Sequence, residues 1–231
     1  MDTQLIFDAD ESLKGLSIGV VEVKGLDWSA ASTEGSYDKT LVDALADAKT
    51  KGEALVSASR KAAVRSMLRH GAYKPAGRAK PSSEYLLQAL LEDDFPSVNH
   101  FVDAVNVVSL VSGYPISIID LEKAGSDLIL RRARAGENYI FNAGGQTIDL
   151  ADLLCVCRRA EGASAGVYTP TANPVRDSMA TKIFPGASSA VAFIYAPVGA
   201  ENADLESACA RLAEYLGQAS AGAEWRVIAI K

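Results

Sequence analysis

Several polar side chains in this sequence have the types and spacing to hold a phosphate, an ester or an amide. Asp103, Asn106 and Ser109 recur every three residues, which on a helix places them on one face. An asparagine among valines needs partners for both its donor and its acceptor, so Asn106 either pins the following loop or reaches a ligand. Arg131, Arg132 and Arg134 lie in one extended stretch, where Arg132 and Arg134 share a face, and Arg158-Arg159 ends another. Guanidinium forks suit phosphates and carboxyl esters, with solvated surface ion pairs as the plain alternative. Arg176-Asp177-Ser178, followed by Thr181, forms a further polar loop. Asp103 and Asp120 each suit a helix or loop cap.

The usual hydrolytic signatures are absent or out of context. No H-E-x-x-H and no G-x-x-x-x-G-K occurs, and neither G-x-S-x-G string, Gly15 to Gly19 in an expected strand and Gly162 to Gly166 in a Gly/Ala/Ser stretch, forms the strand-to-helix elbow of a nucleophile, which argues against a zinc protease, a nucleotide hydrolase and a serine hydrolase. Its two histidines, His70 and His100, sit at expected helix ends and are read as capping or structural groups. Cys155 and Cys157 would share one sheet face, but with Cys209 distant they fall short of a zinc ligand set. No metal and no cofactor is expected.

The elements that must position these groups follow from periodicity. Gln4 to Phe7 and Leu16 to Val23 read as strands, and Ser36 to His70 as helix with a break at Gly52. Pro81-Ser82-Ser83-Glu84 opens the next helix, where a serine hydroxyl can cap free N–H groups. A third helix runs from about Asn99 to Ser112, burying Phe101, Val105, Val108 and Val111, and stops at Gly113; a strand to Asp120 follows. Short strands are expected at 127–133, 138–141, 153–158, 190–196 and 225–230, with a helix from Glu201 to Gln218 before the last. Strands joined by turns, with helices grouped before and after, indicate α+β.

At 231 residues and 48% hydrophobic content the chain suits a globular protein with a real core. Its 23 basic and 29 acidic residues give a formal charge of −6, so contact with nucleic acid must be local. No apolar run approaches a bilayer span, and the N-terminal segment lacks the basic flank of a secretion signal. Three cysteines, an odd number, fit a reducing compartment. The expected location is the cytoplasm, with no membrane partner.

Particular motifs punctuate the middle of the chain: Lys80-Pro81-Ser82-Ser83-Glu84, Asn99 through Val102-Asp103, Asn106 through Ser109-Leu110, and Pro115 through Asp120. Their order continues through Asp127-Leu128-Ile129-Leu130-Arg131, Gly136-Glu137, Arg158-Arg159, Arg176-Asp177-Ser178 and Thr181-Lys182-Ile183. This pattern resembles the B3/B4 editing domain of the bacterial phenylalanyl-tRNA synthetase beta subunit, above all its free-standing relatives, across roughly residues 65–197. The resemblance implies one domain over 1–231, built as a compact β barrel or sandwich with helices packed outside. It also implies binding of tRNA or aminoacyl-tRNA, RNA rather than DNA, and hydrolysis of mischarged esters in trans.

Such an ester is already activated, so a positioned water and a polarised carbonyl suffice without a nucleophile triad. On this reading Asn106, Ser109, Arg158, Arg176 and Thr181 line the substrate pocket, and Arg131, Arg132 and Arg159 face the tRNA. The alternative is a non-catalytic module holding RNA, an amino-acid-like ligand or a protein. One departure stands out: where the synthetase domain has a glycine pair and then a tyrosine-sensing acid, this chain reads Val167-Tyr168-Thr169-Pro170-Thr171-Ala172-Asn173. Glu161, nearby, is expected in an exposed Gly/Ala/Ser loop. Tyrosyl specificity is therefore not carried over, and these residues are not expected to charge tRNA by themselves.

Overall fold

The computed structural model describes residues 3–30, 39–160, 162, 166–198 and 202–230. In chain order the elements are β1 (Gln4–Phe7), β2 (Leu16–Leu26), α1 (Lys39–Lys51), α2 (Ala58–Leu68), α3 (Ser82–Leu91), α4 (His100–Ser112) and β3 (Ile116–Asp120). They continue with α5 (Leu121–Ala124), β4 (Asp127–Arg132), β5 (Asn138–Ile140), β6 (Thr147–Asp149), β7 (Leu154–Arg159) and β8 (Tyr168–Ala172). β9 (Ser189–Pro197), α6 (Asn202–Gly217) and β10 (Ser220–Ala229) complete the set. Glu161 and the expected helix starts at Ser36 and Glu201 lie outside the described residues.

The fold is α+β. One four-stranded sheet runs β1-β4-β7-β8, a second runs β10-β2-β9-β3, and β5 with β6 forms a hairpin. Both large sheets are open among the described residues, so the barrel-or-sandwich expectation resolves to two layers rather than a closed barrel. A single apolar core joins them, with Leu128, Leu130 and Val156 from the first sheet and Val20, Ile118 and Phe193 from the second. β2 is buried without interruption from Leu16 to Val23. Its Gly19 is required by close approach, because a Cβ there would collide with Cys209 Sγ of α6. No helix of the described residues is long and apolar enough to cross a membrane.

α4 carries the central polar groups, and its ends follow the sequence. Asn99 caps the start, accepting from Val102 N at 3.0 Å, and Gly113 ends it in the left-handed region at φ 74°. The helix is buried nearly all round, so the polar face expected for Asp103, Asn106 and Ser109 is divided. Asp103 turns inward and accepts from Ser97 Oγ at 2.9 Å and Val98 N at 2.8 Å. Ser109 donates to Tyr114 O at 2.8 Å, whereas Asn106 stays half-buried at a cleft.

A Cβ on Gly113 would lie 2.5 Å from Val56 Cγ1. Gly113→Ala thus adds a clash to the left-handed backbone cost of about 1–2 kcal/mol. Its urea midpoint is expected to fall accordingly, and an unchanged midpoint would contradict this role for the turn.

The start of α3 corrects one expectation. Pro81 occupies the cap position, and neither Ser82 nor Ser83 caps the helix; both hydroxyls are buried without a hydrogen-bond partner. The Ser82 N–H is instead taken by Pro174 O at 2.9 Å, tying α3 to a distant loop. β6 and β8 were not expected from the sequence, and β10 begins five residues before the predicted strand at Trp225. These segments are extended by pairing, since β2 dictates the register of β10 from Leu26↔Ser220 onward.

Candidate functional site

A cleft of ≈ 550 Å³ opens where the segment before α3, the middle of α4 and the loop after β8 meet. Its charged lining is wholly cationic: Arg78, Lys80, Arg176 and Lys182, with no carboxylate among the lining residues. Asn106 contributes an amide, Ser82 sits at the wall beside the half-exposed Tyr85 ring, and the Ser82 hydroxyl lacks a partner. A second concavity of ≈ 720 Å³, bounded by the β5–β6 hairpin, shares Arg78 and Arg176. In a chain of net charge −6 this is a local reversal of sign, suited to an anionic ligand.

The loop that presents Arg176 is held by its own short-range bonds. Asn173, 1% exposed, accepts from Val175 N at 2.7 Å and Arg176 N at 2.9 Å, and its amide donates to Tyr139 Oη. Tyr139 Oη in turn donates to Arg176 O at 2.5 Å. With its backbone pinned, the Arg176 guanidinium lies 4.7 Å from the Phe141 ring centre and makes no ion pair among the described residues. Lys182 Nζ donates to Phe141 O at 2.6 Å, and burial lowers its pKa against the opposing field of Asp177.

Asp177 lies beneath this loop. Its carboxylate accepts from Ile118 N at 3.1 Å and Asn173 N at 3.4 Å. Burial pushes it up to about 7, more than those N–H groups and Lys182 pull it down. Because the folded state binds this proton more tightly than the unfolded chain, with an ordinary value of 3.8, wild-type stability falls as pH rises through that window. The slope of this contribution approaches about 1.4 kcal/mol per pH unit. Asp177→Asn is expected to remove it, so the variant gains relative to wild type between pH 5 and pH 7 in urea unfolding. A constant difference between the two proteins across that range would exclude a raised Asp177.

Of the residues singled out in the sequence, the cleft brings together Asn106 and Arg176. Ser109 and Thr181 are buried behind it: Ser109 holds the turn after α4, and Thr181 Oγ1 meets Thr171 Oγ1 at 2.6 Å. Arg158 lies elsewhere, donating to Lys123 O at 3.0 Å. Arg131 is 4% exposed and forms a two-pronged pair with Glu137 at 2.7 and 2.6 Å. Arg132, 8% exposed, donates to Leu68 O at 3.0 Å and Met67 O at 3.1 Å, closing the carbonyl end of α2. In this structure both guanidinium groups are engaged internally rather than offered to solvent. Arg159 remains at the surface but pairs with Asp127 at 2.9 Å.

Arg78, Lys80 and Lys182 belong to the cleft without having been singled out for it. The only sequence signal was the clustering of Lys74, Arg78 and Lys80 around glycine and proline before α3. Asp120 caps α5, accepting from Glu122 N at 3.0 Å, and His100 Nε2 donates to Tyr215 O at 2.8 Å in the interior. All three cysteines are buried free thiols, with burial pushing Cys157 and Cys209 up to about 12. No cluster of histidine, cysteine and acid with metal-holding geometry occurs among the described residues.

Comparison with known proteins places the cleft within a matched span. The B3/4 domain family matches residues 73–184, which includes every residue that lines the cleft. The chain is 33% identical over 99 residues to the phenylalanine–tRNA ligase beta subunit of Streptococcus mutans serotype c, covering 42% of this chain and 12% of that protein. Its likeness to the Streptococcus pneumoniae beta subunit is 30% over 99 residues, with the same coverage. The chain thus spans 12% of the length of these relatives. Among solved structures, an N-terminal fragment of the phenylalanyl-tRNA synthetase beta subunit from Pyrococcus horikoshii aligns over 97% of this chain and 50% of its own. That alignment has a TM-score of 0.47 and 10% identity.

Proposed function

The chain carries a B3/4-like domain, and from that premise we propose that its cationic cleft binds the aminoacylated 3′ end of tRNA and hydrolyses mischarged esters in trans. The observation that supports this most is the charge of the cleft: four cations and no carboxylate, inside the matched span of an acidic chain. Arg78 and Arg176 stand where the two concavities join and hold the terminal phosphates. Asn106 orients the ester, and Lys182 faces the carbonyl oxygen as negative charge develops on it.

The reaction needs only water as co-reactant. Its oxygen bonds to the carbonyl carbon, the carbon–oxygen bond to the ribose breaks, and the ribose oxygen takes a proton, leaving free amino acid and uncharged tRNA. Ser109 and Thr181 position the walls from behind, Arg158 and Arg159 contact RNA outside the cleft, and the whole of 1–231 acts as one domain in the cytoplasm. Because the cleft offers no carboxylate to a phenol, tyrosine is not the amino acid singled out.

A second reading is favoured by one observation: no histidine, cysteine or carboxylate lines the cleft to serve as a general base. On that reading the domain holds aminoacyl-tRNA without hydrolysing it. Binding of a charged acceptor-stem minihelix, titrated over added salt, tests what the two readings share. A steep loss of affinity with salt is expected, and a salt-independent or undetectable interaction would refute both.

A further inference from the structure

We propose that the outer edge of β10 pairs antiparallel with β10 of a second copy of this chain, joining two four-stranded sheets into one across a two-fold axis at Trp225. The sheets present four edges, and three are guarded. β1 has only four residues. β8 contains Pro170, and its Thr171 O accepts from Ser178 N at 3.0 Å. β3 has Ile118 N covered by the Asp177 carboxylate at 3.1 Å. β10 has none of these devices. It runs for ten residues in unbroken register with β2, contains no proline or lysine, and no strand of the described residues lies on its other side.

Its sequence is complementary to itself. With Trp225 on the axis of an antiparallel pair, Glu224 of each copy stands opposite Arg226 of the other, and Ala223 opposite Val227. Two opposite-charge pairs therefore flank the axis on one face. On the other face the Trp225 rings meet, and each is 40% exposed in the single chain. Arg226 Nη2 donates to Thr3 O at 2.6 Å, which holds this side chain on the face that carries Glu224. A one-residue slip of register would bring Trp225 opposite a charged residue and separate the charge pairs, so the pairing is specified as well as permitted.

Sedimentation equilibrium of the full chain, across micromolar to hundred-micromolar concentrations, tests the proposal. Wild type is expected to dimerise. Glu224→Arg, which sets arginine against arginine twice, should weaken the dimer by about tenfold or more. The double variant Glu224→Arg with Arg226→Glu should restore it, while circular dichroism and melting confirm that all three proteins are folded. A wild type that is monomeric throughout, a folded Glu224→Arg dimer as tight as wild type, or a folded double variant that stays monomeric would each overturn this pairing.

Discussion

Arg176→Glu is expected to reduce the affinity for aminoacyl-tRNA by at least about tenfold at moderate salt, and to flatten the salt dependence by about one counterion. The cleft has four cations, and reversing one changes its local charge by two while placing a carboxylate against phosphate. Stability should move little. The guanidinium stacks on Phe141 and makes no ion pair among the described residues, and the loop is held through the Arg176 backbone rather than its side chain. A change within about 0.5 kcal/mol is therefore expected in urea unfolding. Undiminished affinity in a folded Arg176→Glu protein would remove the cleft from the binding site.

Arg131→Ala should do the reverse, destabilising the fold by about 3 kcal/mol with the salt slope of tRNA binding unchanged. Arg131 is 4% exposed, and besides Glu137 it donates to Arg132 O at 3.0 Å and Tyr168 O at 3.1 Å, joining β4 to the start of β8. Truncation leaves Glu137 partly buried without its cation. Burial alone raises the Glu137 carboxyl, but the Arg131 guanidinium and the Arg134 N–H outweigh it and hold the group below its usual 4.5. The stabilisation from this pair is thus present above that value and lost as pH falls through the lower, folded one. Urea midpoints of wild type and Arg131→Ala should converge under acid conditions; a gap that persists undiminished would show that packing, not charge, sets the cost.

The contrast between these two arginines explains how far the sequence could be read. Local signals were legible: Asn99 and Gly113 bracket α4, Asp120 caps α5, and the apolar runs of β2 and β9 mark the central strands. The hydroxyl of Ser82 looked like a helix cap, yet the Glu84 and Tyr85 N–H groups it would satisfy donate to Pro81 O, at 3.1 and 3.3 Å. β8 was obscured by Pro170, which an edge strand tolerates. Arginine chemistry alone did not reveal direction: Arg131 finds its carboxylate six residues away, but Arg132 finds its carbonyl 64 residues away. The cleft itself joins Arg78 and Lys80 to Arg176 and Lys182 from the two ends of the matched span, a juxtaposition that only the folded chain creates.

First-order deacylation of a panel of tRNAs, each charged with a non-cognate amino acid, tests the central claim most directly when wild type and Arg176→Glu are compared at equal concentration. Faster ester loss than in buffer is predicted for at least one mischarged tRNA with wild type, returning to the buffer rate with Arg176→Glu. Wild-type rates equal to buffer for every member of the panel would contradict the hydrolytic reading.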